Sequence, residues 1–171
     1  MAELKQSDLE SLKNIVTEFE GKPGKQLGTD LYHLCSALMP SVNVDVMVRN
    51  TSGILLCWRH DNFYGPGWHV PGGIIRFKET AAARIAKVAQ HELGVTVENE
   101  DTPILVTEIM NPTRETRGHF ISMLYRCTLK TALSADQENS EDCPKNNQWR
   151  WFAAAPENLI YQQKMYADLI G

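Results

Sequence analysis

The sequence predicts a mixed α/β fold, and three stretches of the chain carry this prediction. Valines alternate with other residues from Val42 to Val48, the period-two pattern of a strand with one buried face. Trp68 to Val95 joins two short strands through a Pro-Gly-Gly turn to an amphipathic helix that ends at Gly94. Further strands and a closing helix follow. Strands that alternate with helices indicate one layered domain.

The composition and charge of the chain argue against several classes of protein. The chain has 171 residues, of which 43% are hydrophobic and 22% charged, and its net charge is −4. This charge argues against nucleic-acid binding, which needs a basic face. No apolar run approaches the roughly 18 residues of a membrane span. The first residues, MAELKQSDLESLK, lack the pattern of a signal peptide. We therefore expect a cytoplasmic protein that binds neither nucleic acid nor membrane.

The four cysteines show no metal-binding spacing, so we expect free thiols in a reducing compartment rather than a zinc site. They are Cys35, Cys57, Cys127 and Cys143.

Residues 1–39 predict two helices. Ser7 to Glu10 has the pattern of a capping box that opens the first helix. Its apolar stripe either packs on its own domain or forms a homodimer contact. The second helix starts at Thr29, stops before Pro40 and buries three leucines. The stripe comprises Leu9, Leu12, Ile15, Val16 and Phe19, and the leucines are Leu31, Leu34 and Leu38.

The first hairpin of the sheet turns at residues 50–53 and returns from Ile54 to Trp58. Arg59 follows, where its guanidinium would either reach a phosphate or remain solvated. In the next loop, Phe63 or Tyr64 would stack on a base or pack over the sheet.

Later strands are predicted at 95–97, 103–110, 119–129 and 149–152. A polar loop with Arg114 and Arg117 joins the second and third of these strands. The long polar stretch 130–148 is either disordered or functional. Pro156 is predicted to open a C-terminal helix whose core-facing residues are Leu159, Ile160, Met165, Tyr166 and Leu169.

One carboxylate stands out on the helix before Gly94. At about 100° per residue, Glu92 falls on the apolar face, one turn after Val88. Burying an isolated charge is costly, so Glu92 needs a cation, a salt bridge or a metal as its partner.

This stretch resembles the Nudix box, G-x5-E-x7-R-E-U-x-E-E-x-G-U, in which U is a bulky aliphatic residue. Gly73, Glu79, Glu92, Gly94 and Val95 match the box, and Lys87 keeps the charge of its arginine. Val88 and His91 replace two of its three helix carboxylates. A box that retains the last glutamate alone is most similar to the GDP-mannose mannosyl hydrolase subgroup, which uses one Mg²⁺.

The resemblance implies an α/β/α sandwich with a mixed, curved sheet over residues 40–171, preceded by the 1–39 helical extension. It also implies a bound Mg²⁺, with Mn²⁺ as the alternative. Its ligands would be Glu92 with a backbone carbonyl of Gly72 or Gly73, and Glu79 is a further candidate. For Glu79 we favour a salt bridge with Lys87.

Three functions are compatible with this resemblance. The favoured one is hydrolysis of a nucleoside diphosphate sugar, with water attacking the sugar C1 and nucleoside diphosphate leaving. The alternatives are cleavage of a P–O–P bond and a catalytically silent nucleotide-binding module. His91 is expected to be solvent-exposed. The expected catalytic residues are Glu92 and His119, and the expected substrate-binding residues are Arg59, Tyr64, Arg76 and Lys87.

The histidine that serves as general base in this subgroup has no counterpart at the same position here. The subgroup takes a histidine from the loop before the Trp149 strand, and Asn146 occupies that place here. An asparagine side chain does not serve as a proton acceptor. The base would instead be His119 or one of the loop acids Asp136, Glu138, Glu141 and Asp142.

Overall fold

A computed structural model describes residues 4–20, 22, 24–25, 27–61 and 64–171. Within them, eight strands form one mixed sheet, as the sequence predicts. The order is β3-β2-β1-β7-β5, and β4 also pairs with β1, β6 with β7 and β8 with β2. The strands are β1 Ser41–Asn50, β2 Gly53–Arg59, β3 Gly67–His69, β4 Gly72–Ile74, β5 Val97–Asn99, β6 Leu105–Met110, β7 His119–Leu129 and β8 Trp149–Phe152.

Strand β1 is the centre of the sheet. It runs parallel to β7, in register from Ser41 with Phe120 to Val48 with Cys127, while its pairs with β2 and β4 are antiparallel. Both faces of β1 are covered, because Asp45 and Met47 are buried as well as the valines at 44, 46 and 48. The expectation of a single buried face was therefore wrong.

Two hydrophobic cores lie on the two faces of the sheet. Helix α3 (Ala81–Val88) covers one core through Ile85 and Val88. The C-terminal segment covers the other, with Leu159 and Tyr166 buried among residues of β1 and β2. The layered arrangement follows from these two covers.

The C-terminal segment is not the single helix that the sequence predicts. A 3-10 helix at Tyr161–Tyr166 leads into a short α4, Ala167–Ile170. Leu159 and Ile160 are buried before either helix begins, whereas Met165 is exposed.

The N-terminal helices are α1 (Gln6–Thr17) and α2 (Thr29–Leu38). Helix α1 begins after Lys5, with no side-chain cap, so the predicted capping box does not form. None of its residues is buried, and its apolar stripe is not packed into the core. Leu34 and Leu38 of α2 are also exposed, and Ser36 is the buried residue of this helix instead.

Two further findings concern exposure. None of the helices in the described ranges has the length and hydrophobicity needed to span a membrane. All four cysteines are free thiols, and Cys57 and Cys127 are buried in their strands.

Candidate active site

The helix that contains Glu92 does not end as a regular α-helix. After Val88 the chain widens into a π-helical turn, Ala89–Leu93, and ends at Gly94 with a left-handed φ of 68°. Such π turns occur often at functional sites, since they redirect the side chains beyond them. Here Glu92 leaves the core-facing row, while Ala89 and Leu93 remain buried.

The redirected Glu92 meets a buried histidine. Its Oε2 lies 2.9 Å from Nε2 of His69, and its Oε1 accepts a longer, 3.3 Å hydrogen bond from the Gly72 N–H. Nδ1 of His69 lies 2.8 Å from the Cys57 carbonyl oxygen, which only accepts. Nδ1 must therefore carry a proton. A hydrogen bond between His69 and Glu92 then requires a second proton, located either on Nε2 or on the carboxyl group.

Glu79, the other box carboxylate, is fully used in the fold. Its Oε1 accepts a 2.8 Å bond from Lys87, and its Oε2 accepts bonds from Arg84 and from the Arg76 N–H. Burial alone would raise the pKa of Glu79, but these hydrogen bonds outweigh burial and lower it. The expected salt bridge with Lys87 is present. With both oxygens held by cations, Glu79 is poorly placed as a metal ligand.

The two glycines of the turn are required by close approach. A Cβ on Gly72 would lie 2.1 Å from Oδ1 of Asp45, and one on Gly73 would lie 2.8 Å from Val88. The glycines thus bring β4 against both β1 and α3.

Beneath Gly72 lies a buried acid that the sequence pattern did not reveal. Asp45 is 1% exposed and is surrounded by neutral donors. Tyr166 donates at 2.7 Å, Asn43 at 2.9 Å and Gln163 at 3.4 Å, and Ser122 is also bonded to it. Burial raises the pKa of Asp45 to about 6, although the hydrogen bonds from Ser122, Tyr166 and Asn43 lower it. Its place among alternating valines suggested an outward-facing residue.

Two cavities meet at this site. The larger, of about 410 Å³, is lined by Tyr32, Tyr64, Arg76 and Arg117 among others. The smaller, of about 180 Å³, contains Glu92 and is lined by the residues His60, Asp61, His91, Asn146 and Asn147. Arg59, His69 and Gly72 line both cavities.

The larger cavity is cationic and aromatic. Arg59 lies 5.0 Å from the centre of the Tyr64 ring and also forms a 2.5 Å ion pair with Asp61. Arg76 and Arg117 lie 6.0 and 5.3 Å from the Tyr32 ring. Tyr32, Arg117 and Asp45 are functional candidates that sequence reasoning missed or left without a role. The charged residues of the 111–118 loop were the available signal.

Some of the other predicted residues lie away from both cavities, whereas His91 and Asn146 line the smaller one. His119 bonds to Glu108 at 2.9 Å and lines neither cavity. Lys87 is held by Glu79 and also lines neither cavity. His91 is exposed as expected. Asn146 bonds both backbone groups of His60. Phe63 lies outside the described residues.

The donor set bears on the implied metal. No group of three or more His, Cys, Asp or Glu side chains is placed to hold a metal ion within the residues that the structure describes. Oε1 of Glu92, with one long hydrogen bond, keeps lone pairs available. One carboxylate oxygen fits a lightly held Mg²⁺, which retains waters and phosphate oxygens as its other ligands.

Known proteins are similar to most of this chain in sequence or in fold. A family model described as "NUDIX domain" matches residues 39–166. The low-salt glycan biosynthesis protein Agl8 of Haloferax volcanii is 28% identical over 153 residues, which cover 87% of this chain and 94% of that protein. An ADP-ribose pyrophosphatase of Methanocaldococcus jannaschii is 28% identical over 88 residues, 52% of this chain and 50% of its own.

Among solved structures, a MutT protein from Methanosarcina mazei Go1 superposes with a TM-score of 0.58 at 15% identity. The match covers 77% of this chain and 93% of that one. At this identity the likeness concerns the fold alone.

Proposed function

Because the chain belongs to the Nudix hydrolase family, we propose that it hydrolyses a nucleoside diphosphate sugar. One observation carries the proposal: a cationic, aromatic cavity runs into the cavity of Glu92 through the shared residues Arg59, His69 and Gly72. A diphosphate has the charge that the arginines require, and its two ends extend naturally into two connected cavities.

Glu92 would hold the Mg²⁺, with a backbone carbonyl of Gly72 or Gly73. The bound ion supplies a Lewis acid that neutralises charge on the departing diphosphate. His69 fixes the orientation of the Glu92 carboxylate through its 2.9 Å contact. Arg59 lies at the junction of the two cavities, where it would bind the diphosphate.

We favour attack of water on the sugar C1 over cleavage of the P–O–P bond. The second reaction commonly uses water oriented by several box carboxylates, and Val88 and His91 take two of those positions. Val88 is buried and has no carboxylate with which to orient a water molecule. The name of the glycan biosynthesis relative also fits a nucleotide sugar.

The proton acceptor would be an imidazole at the smaller cavity. Asn146 is engaged by the His60 backbone, and His119 is bonded to Glu108 on another part of the surface. His60 and His91 both line the smaller cavity. We assign proton removal from the attacking water to one of these two residues, to be separated by His60→Gln and His91→Gln.

Cleavage of the P–O–P bond is the second candidate, since one relative is named an ADP-ribose pyrophosphatase. A panel of GDP-mannose, UDP-glucose, UDP-glucuronate and ADP-ribose with Mg²⁺ or Mn²⁺ separates the candidates. Mass spectrometry of the products should reveal free sugar and nucleoside diphosphate. Nucleoside monophosphate with a sugar phosphate would indicate the second candidate instead. Tight nucleotide binding without turnover would indicate a silent module.

We also propose that α1 forms a homodimer contact, since its apolar stripe is exposed, with Val16 at 60%. Introducing Leu12→Glu and Val16→Glu should halve the mass that light scattering measures. An unchanged mass would count against this contact.

A further inference from the structure

Arginine and tyrosine side chains alternate across the larger cavity. Arg76 lies 6.0 Å from the Tyr32 ring, and Arg117 lies 5.3 Å from the same ring. Arg117 is also 5.6 Å from the ring of Tyr64, which has Arg114 at 4.9 Å and Arg59 at 5.0 Å as further neighbours. Cations gain from such contacts with aromatic faces. The alternation thus allows three guanidinium groups to share a small space.

Tyr32 lies outside the part of the chain that matches the family model. It belongs to α2, whose residues precede the 39–166 match to the family model. Ser36 of the same helix accepts a 3.3 Å hydrogen bond from the Arg117 N–H, and the Tyr64 hydroxyl donates to the Arg117 carbonyl. Helix α2 is therefore tied to the 111–118 loop and forms one wall of the cavity.

The backbone of Arg117 is strained. Its φ of 56° lies in the left-handed region, which a residue with a long side chain rarely adopts. Such strain occurs preferentially at ligand-binding positions. The contacts from Ser36 and Tyr64 hold this backbone in place and fix where the guanidinium emerges.

Two buried polar atoms of these arginine and tyrosine side chains have no hydrogen-bond acceptor in the described part of the chain. The Tyr32 hydroxyl and Nε of Arg76 have no hydrogen-bond partner among the described residues. An unsatisfied buried donor is expensive, so its persistence points to a ligand. Both atoms can donate a hydrogen bond, so an anion is a suitable acceptor for them.

We propose that Tyr32, Arg76 and Arg117 form an anion subsite, closed by α2, that binds a carboxylate or phosphate carried by the sugar of the substrate. This inference rests on the proposed function. The three residues line the larger cavity and not the smaller one, so the subsite lies beyond Arg59 as seen from Glu92. Helix α2 then makes the enzyme selective for charged sugars.

UDP-glucuronate and UDP-glucose, which differ by one carboxylate, test the subsite. Calorimetric titration of the full chain without metal measures binding apart from turnover. We expect wild type to bind UDP-glucuronate about tenfold more tightly, which is the value of a charge-assisted hydrogen bond. Tyr32→Phe and Arg76→Gln should each remove this preference. Glucuronate and glucose 6-phosphate, as competing ligands, would show whether the subsite takes a carboxylate or a phosphate on the sugar more tightly.

The matched controls are Tyr161→Phe and Arg126→Gln, which change an exposed tyrosine and an exposed arginine that line neither cavity. Both controls should keep the preference. Equal affinity of wild type for the two ligands would overturn the subsite, as would a preference that survives Tyr32→Phe and Arg76→Gln, or an equal loss of affinity for both ligands. Absence of turnover with an intact preference would instead count against the proposed reaction alone.

Discussion

Glu79 and Glu92 lie at opposite ends of the same helical segment, and their surroundings differ. The side chain of Glu79 is 2% exposed and accepts from two cations and a backbone amide. The side chain of Glu92 is 18% exposed and has one histidine and one long amide contact. A carboxylate saturated with donors stabilises a fold, whereas one with a free lone pair remains able to bind a ligand.

The largest expected effect is on the Glu92 end. Glu92→Gln keeps the shape of the side chain but removes its charge, so metal-dependent turnover should fall by at least about a hundredfold, since even outer residues of metal sites contribute 10–100-fold. The melting temperature should change little. Steady-state kinetics across a Mg²⁺ titration would measure the loss. Full activity in this variant would contradict the proposal that Glu92 binds the metal ion.

A substitution of Glu79 should instead reduce stability and leave turnover intact. Glu79→Gln leaves the largely buried Arg84 without its carboxylate, and breaking such a pair costs about 3 kcal/mol of unfolding free energy. Urea unfolding measures this cost, while turnover per folded molecule should persist. Glu100→Gln, in the exposed pair with Arg126, is the control and should cost less than about 1 kcal/mol. Equal costs for the two variants would contradict the comparison.

A third carboxylate sharpens the contrast, because the side chains that donate to Asp45 are all neutral. Its pKa is about 6 in the folded protein and lies near 3.8 when unfolded. The folded state therefore binds more protons between these values, and the contribution of Asp45 to stability falls as the pH rises from about 4 to 6.

Asp45→Asn provides the reference for this pH dependence. The stability of wild type relative to the variant should drop by up to about 3 kcal/mol between pH 4 and pH 7, from a shift of about two pKa units. Urea unfolding of both proteins across this range is the measurement. A difference that stays constant with pH would show that Asp45 does not titrate in this way.

The smallest effect is expected at Lys87. Its side chain is 58% exposed, so solvent screens its pair with Glu79. Lys87→Met should cost at most about 1 kcal/mol in unfolding free energy and leave turnover unchanged, since Lys87 lines neither cavity. A strong rise in KM would restore Lys87 as a substrate-binding residue.

Sequence patterns predicted the parts of this molecule that depend on local rules. The period-two valines located β1, and the Pro-Gly-Gly turn with its amphipathic helix located the Glu92 segment. The burial of Asp45 was missed, because alternation indicates which residues share a face but not that a C-terminal segment covers the second face. Glu92 met His69 only through the π turn, which has no signal in the helical period.

The position of α2 beside the larger cavity was also beyond local rules. Its leucines suggested a core-facing stripe, yet Leu38 is 71% exposed and the inward face carries Ser36. The ring of Tyr32 lies against Arg76 and Arg117, which are distant in the sequence. Such partnerships arise from tertiary packing, which overrides the pattern of a short helix.

The parallel pairing of β1 with β7 has a consequence for the order in which the protein folds. Asp45 bonds to Ser122, 77 residues later, and to Tyr166, 121 residues later. Contacts so distant in sequence form slowly, because a long loop must close first. The strand-turn-helix of residues 68–95 can therefore assemble early, while the floor of the larger cavity forms only after the last segment has docked. Substrate binding would then report that folding is complete.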